Sequence, residues 1–114
     1  MNNTQKGRIG EMLAVQWLLE KKYTILEKNY RFGKAEIDII VEKDNVLVFV
    51  EVKWRSDATF GEPEIAVNAR KKKLVRQAAE NYIFAQDWQH DIRFDIIAIT
   101  GKENPEIVHF EDVD

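Results

Sequence analysis

There is no cysteine among the 114 residues. That excludes disulfides, thiolate zinc sites and cysteine nucleophiles, and it fits a reducing compartment. Histidine is scarce as well: His90 and His109 are too few for a three-histidine zinc site. No apolar run approaches the roughly 20 residues of a membrane span. The N-terminus lacks the apolar core of a signal peptide. Repeats, low-complexity tracts and linkers are missing too. These absences point to a cytoplasmic protein without membrane contact. Nor does one sign of charge dominate. Seventeen Lys and Arg against 20 Asp and Glu leave a net charge of −3, which gives no general argument for a nucleic-acid partner. The length predicts one domain over residues 1–114, with 1–6 fraying. A chain of this size buries about two thirds of its unfolded surface, enough for a core without staples.

What is present is concentrated between Ala35 and Arg55. Two runs rich in Ile, Val and Phe flank Lys43-Asp44-Asn45, which predicts a β-hairpin. Charge interrupts both runs at Glu36, Asp38, Glu51 and Lys53. Period-two geometry puts Leu47, Phe49, Glu51, Lys53 and Arg55 on one face of the second strand, and Val46, Val48, Val50, Val52 and Trp54 on the other. A two-residue turn at Asp44-Asn45 pairs Lys43 with Val46. Continued, that register sets Asp38 opposite Glu51 and Glu36 opposite Lys53. Like charges directly opposed destabilise a sheet. A divalent cation between the two carboxylates would remove that cost.

The remaining elements follow from periodicity. A helix is expected over Gly7–Lys21, with Ile9, Met12, Leu13, Trp17 and Leu18 inward. A strand follows over Tyr23–Tyr30, then a turn at Arg31–Lys34 in which Gly33 supplies backbone freedom. Residues after Arg55 read as a loop. A second helix starts near Asn68, a good N-cap, and runs to about Gln86. Its inward stripe is Leu74, Val75, Ala78, Ala79, Tyr82 and Ile83. Ile92–Thr100 is an apolar, central strand, and Glu106–Phe110 a short last one. The order α-β-β-β-α-β-β predicts a mixed central β-sheet flanked by helices, an α/β (α+β) fold.

Several charged residues have two readings. Glu11 is either a first-turn acid favoured by the helix dipole or a third acid beside Asp38 and Glu51. Arg31 and Lys34 either meet a phosphate or are solvated turn residues. Arg70, Lys71, Lys72, Lys73 and Arg76 form either a phosphate-binding face or a solvated helix face. Lys71 falls in the first helical turn, where backbone N–H groups favour anions. Lys53 is either a functional cation or one half of a salt bridge to Glu36 or Glu51.

The spacing from Asp38 through twelve residues to Glu51-Val52-Lys53 is D-x12-E-x-K, which resembles the PD-(D/E)XK superfamily with its restriction-endonuclease-like fold. Over nearly the whole chain the sequence resembles the YraN family of small bacterial proteins. The matching residues are Gly7, Gly10-Glu11, Arg31, Glu36-Ile37-Asp38, Phe49 to Lys53 with Arg55, Phe60-Gly61, Val67, Lys71 and Arg93-Phe94-Asp95. It is also similar to archaeal Holliday-junction resolvases. Ile37 stands where the superfamily name has proline. Gln77 and Tyr82 are five apart, so the Q-x-x-x-Y motif of RecB-like relatives does not transfer.

The resemblance implies a metal-dependent endonuclease that hydrolyses DNA phosphodiesters, branched or junction DNA included. Mg²⁺ or Mn²⁺ would be held by Asp38, Glu51, the Val52 carbonyl and Glu11. Lys53 would position the attacking water and offset charge. Arg55, Lys71 and Lys72, with Arg31 and Lys34, would hold phosphates, and Glu36 would support the site. A resolvase needs two active sites and hence a homodimer, with Trp54, Trp88 and Phe110 as candidate surface. The modest basic content points to a protein partner that delivers the substrate. The alternatives are a non-catalytic nucleic-acid-binding module on the same fold, or a protein-interaction factor with a vestigial site.

Overall fold

The computed structural model describes residues 3–55, 69–101 and 103–113. The loop after Arg55, Phe60-Gly61, Val67 and the Asn68 cap lie outside the described residues, as do the side chains of residues 3–6 and of Arg55. The element order is α1 (Asn3–Glu20), β1 (Thr24–Phe32), β2 (Ala35–Lys43), β3 (Val46–Arg55), α2 (Ala69–Ala85), β4 (Asp91–Thr100) and β5 (Glu106–Phe110). The strands form one sheet in the order β1-β2-β3-β4-β5. All neighbours are antiparallel except β3 and β4, which are parallel. A parallel pair needs a crossover, and α2 lies in it. The expected mixed sheet with helices is what the chain forms. Ile92–Thr100 is interior as expected, but the middle strand is β3.

The β2–β3 turn has the predicted chemistry. Asp44 and Asn45 both have positive φ, 52° and 63°, the requirement of a two-residue turn whose twist matches the strands it joins. At the β1–β2 turn the strand extends further than expected, to Phe32, and Gly33 turns the chain at φ 62°.

The core has two halves. On one face of the sheet, Ala14 and Leu18 of α1 pack with Ile39, Val41, Val48, Val50, Ile97 and Ile99. On the other, Ala78, Ala79 and Tyr82 of α2 pack with Ile40, Leu47 and Phe49. The period-two division of β3 is therefore correct. The whole predicted stripe of α2 is used. That of α1 is not: Ile9 and Met12 lie outward, Met12 at 62 % exposure. The reason is Gly10. A Cβ there would sit 3.3 Å from Trp54 Cε3, so the bare backbone lets α1 settle on β3. The inward row becomes Gly10, Ala14, Trp17 and Leu18. Because α1 carries apolar residues around its whole circumference, spacing did not single out this row. Both helices end alike. Lys22 and Asp87 adopt positive φ, and Tyr23 and Trp88 donate back to Leu18 and Ile83 across the last turn.

Trp54, Trp88 and Phe110 are all half-buried. Trp54 packs under α1, and Trp88 packs against the α2 side of the core and donates to the Asp91 carbonyl. The most exposed large apolar side chain among the described residues is Phe84, at 87 %.

Candidate functional site

β2 and β3 follow the expected register through five pairs, from Lys43–Val46 to Ile39–Val50, and the ladder then stops. Asp38 and Glu51 would have been the next pair. The cause is visible in β1 and β2. Asn29 has φ 54° and lies between the pairs Lys28–Ile39 and Tyr30–Ile37, so it stands across from Asp38. Here β2 changes phase. Ile37 belongs to the α2 side of the core, but Ile39, two residues on, belongs to the α1 side. β3 meanwhile runs on beside β4 as far as Arg55–Thr100. Its edge toward β2 is left without a ladder partner. The Asp38 carboxylate fills the gap by accepting the Val52 N–H at 2.8 Å. A backbone donor that would otherwise be orphaned is satisfied by a side chain.

Beside this break is a cavity of about 340 Å³ between the sheet and the first turns of α2. Glu36, Asp38 and Glu51 bring carboxylates to it. Lys34, Lys71, Lys72 and Arg76 bring cations, and Phe49, Leu74 and Phe94 form an apolar wall. Burial pushes the Asp38 carboxyl up to about 6. The Val52 hydrogen bond opposes this, the Glu51 and Glu36 charges add to it, and Lys71 offsets part of it. Lys71 reaches from the first turn of α2 to Glu51, Nζ to Oε1 at 2.5 Å.

The other sequence-derived residues divide. Glu36 pairs with Arg31 at 3.2 Å across β1 and β2, so the register that would set it opposite Lys53 does not extend that far. Lys53 is half-buried on β3 and is not among the described residues that line the cavity. Glu11 is not a first-turn acid, because α1 begins at Asn3. Nor does it line the cavity with Asp38 and Glu51. Both its oxygens accept from Asn29 Nδ2, at 3.2 and 3.1 Å. Asn29 thus stands between Glu11 and Asp38, a position that the pattern Glu-Lys-Asn-Tyr did not single out. Among the described residues no group of three or more His, Cys, Asp or Glu side chains gathers as a metal cage.

A second charged cluster gathers around Asp95, the ladder partner of Val50 and itself one of the residues lining the cavity. Asp95 is 1 % exposed. It accepts from Arg93 Nε and Nη2, each at 2.8 Å, from His109 Nε2 at 2.7 Å and from the Asp112 amide at 3.1 Å. Trp17 Nε1 donates to His109 Nδ1 at 3.2 Å, which leaves the ring proton on Nε2, facing Asp95. Arg93 also reaches the Tyr23 hydroxyl and Glu111. Burial alone would raise the Asp95 carboxyl. The hydrogen bonds from His109, Arg93 and Asp112 outweigh it and hold the group below its ordinary value. The signal was present in the sequence, two opposite charges two residues apart in an apolar strand.

A small α+β protein with an acid-floored, base-rimmed cavity at a broken strand pair is the class these features define. The family model described as "Uncharacterised protein family UPF0102" matches residues 10–99. A UPF0102 protein of Cytophaga hutchinsonii is 45 % identical over 113 residues, 99 % of this chain and 98 % of that one. One of Flavobacterium psychrophilum is 50 % identical over 108 residues, covering 93 % and 90 %. One of Thermodesulfovibrio yellowstonii is 42 % identical over 111, covering 97 % and 96 %. The chain belongs to the UPF0102 family, the YraN proteins of the sequence resemblance. No helix among the described residues is long and apolar enough to cross a membrane.

Proposed function

We propose that this protein is a divalent-ion-dependent nuclease, with a restriction-endonuclease-like fold, that hydrolyses phosphodiester bonds in DNA, junction DNA included. One observation carries the reading. The strand pair breaks where Asp38 and Glu51 would oppose each other, and both carboxylates line one cavity beneath a cationic rim. A sheet that gives up ladder hydrogen bonds to present acids to a cavity is using them for something other than pairing.

The donor set fits Mg²⁺ or Mn²⁺ and not zinc. Mg²⁺ is commonly held by one or two carboxylates, with waters and substrate phosphate oxygens completing its shell. Asp38 and Glu51 supply two carboxylates, and the Lys71 ammonium against Glu51 marks where a cation is favoured. Glu11, held by Asn29, and the Val52 carbonyl are the further candidates. When bound, the ion lowers the pKa of a water and polarises the phosphoryl oxygen. Lys53 would offset charge near the attacking water. Lys34, Lys72 and Arg55 would hold neighbouring phosphates, which fix register without reading sequence.

A second reading, a nucleic-acid-binding module without turnover, draws on the Lys71–Glu51 pair, which already neutralises one of the acids. Cleavage of labelled duplex, single-stranded, flap and four-way-junction DNA separates the two. Wild type is compared with Asp38→Ala and Glu51→Ala in Mg²⁺ and Mn²⁺. Cutting by wild type alone supports the nuclease. Salt-dependent binding that survives Glu51→Ala, with no cutting by any protein, supports the module. Equal cutting by all three means a contaminant. A dimeric active form and a protein that delivers the substrate belong to this proposal. Sedimentation and a pull-down on the same preparations test them.

A further inference from the structure

Lys71 reaches from the cationic rim onto an acid of the cavity, in an ion pair with Glu51. Its side chain is 52 % exposed while Glu51 is 25 % exposed, so a solvated ammonium covers a largely desolvated carboxylate. Its backbone is fixed, because α2 is anchored on the sheet one turn further on through Leu74, Val75 and Ala78. The four-carbon stem has rotatable bonds by which the ammonium can exchange one partner for another. The position also makes electrostatic sense. Glu51 and Glu36 both disfavour charge on Asp38, and Lys71 favours it. Lys71 thus offsets part of the repulsion between two adjacent carboxylates, after the larger contribution of the Val52 hydrogen bond.

We infer that Lys71 is a resident counter-cation which a divalent ion must displace from Glu51, and that once displaced its ammonium, still tethered at the rim, meets the phosphate of an incoming polyanion. The inference rests on the divalent-ion reading of this site. Its physical basis is competition. A hard cation at about 2.0–2.1 Å from a carboxylate oxygen and an ammonium 2.5 Å from Glu51 Oε1 repel each other and draw on the same lone pairs. Lys71 therefore weakens ion binding while the site is without substrate. Ion and polyanion then bind with positive cooperativity, because the ion releases the group that the phosphate uses.

The test is calorimetric titration of Mn²⁺ alone at pH 8 into wild type, Lys71→Met, Lys71→Gln and Lys34→Met, each checked for an unchanged thermal transition. Lys34→Met removes one charge from the same rim without touching the Glu51 pair. Both Lys71 variants are expected to bind Mn²⁺ about tenfold more tightly than wild type, a typical size for coupling between two sites, and Lys34→Met no more than about threefold more tightly. In wild type, Mg²⁺ is expected to shift the Lys71 Cε resonance toward that of a solvated lysine. Wild-type binding that the Lys71 variants leave unchanged or weaken overturns the role of Lys71 and leaves the metal site standing. A gain in Lys34→Met equal to that in Lys71→Met also overturns it, since any rim charge would then do. No binding by any of the four overturns the divalent-ion reading itself.

Discussion

Two buried or half-buried aspartates sit in strands of the same sheet and have opposite fates. Asp95 is met by Arg93, His109 and the Asp112 amide, and its carboxyl is held below the ordinary value. Asp38 has the Val52 N–H as its backbone donor and two like charges for neighbours. Its carboxyl is pushed up to about 6. Burial acts the same way on both. The number of donors aimed at each decides the sign. A carboxylate whose lone pairs are all used holds the structure together. One left with lone pairs over and a like-charged neighbour is available for a cation. The first joins β4, β5 and α1, and the second interrupts β2 and β3.

The largest expected effect is on the Asp95 cluster. Asp95→Asn removes the buried carboxylate that Arg93 and His109 face and leaves Arg93 with the exposed Glu111, and breaking a buried pair costs about 3–5 kcal/mol. Urea denaturation should show it, and a loss under 1 kcal/mol would mean that the cluster is not the clasp its geometry describes. Asp38→Asn is expected to act the other way. It removes a charge that burial and Glu51 disfavour while keeping an acceptor for Val52. At pH 8 it should be more stable than wild type by on the order of 1 kcal/mol, even as Mn²⁺ binding disappears. A destabilised Asp38→Asn protein would make Asp38 a second structural acid and erase the contrast.

The pH dependence separates the two groups again. The folded pKa of Asp38, about 6, lies above its ordinary 3.8. Its contribution is thus full below 3.8 and is lost as pH rises through 6, where the unfolded chain binds fewer protons than the folded one. Asp95 is lowered, so its contribution is present above its ordinary value and is lost as acid protonates it. Wild type should therefore fall in stability relative to Asp38→Asn between about pH 4 and 7. A difference constant across that window would refute the assignment. Carbon-13 shifts of the two carboxyls should titrate on opposite sides of the ordinary range.

The smallest effect concerns the hinge of the comparison. Asn29→Ala loses the Glu11 hydrogen bond and retains a left-handed backbone, and should cost about 1 kcal/mol. Asn29→Gly should cost less, because glycine adopts that conformation freely. Equal losses in the two would mean that backbone strain at Asn29 plays no part in the kink.

Much of this was legible in the chain itself. The hairpin turn at Asp44-Asn45, the register from it, the stripe on α2 and the element order all follow from local chemistry, since turns and periodicities are set by neighbours in sequence. The inward face of α1 was not legible, because a helix apolar all round has no preferred side until Gly10 meets Trp54. The Asp38–Glu51 juxtaposition was anticipated as a cross-strand pair. The chain instead delivers it as a broken one, because the kink at Asn29 and Asp38 ends the ladder at Ile39–Val50, one pair short of Asp38 and Glu51.

The sequence by itself determined which residues are chemically able to act: two acids and a lysine at fixed spacing in apolar strands, a basic first turn on α2, and a chain with no thiol. Only the tertiary structure decided how they are used. It sent Glu11 to Asn29, turned Lys71 onto Glu51, and gave Asp95 enough donors to become structural. The physical reason is that spacing fixes which face a side chain leaves from, while its charge state and availability depend on the donors, charges and solvent that distant parts of the chain bring to it.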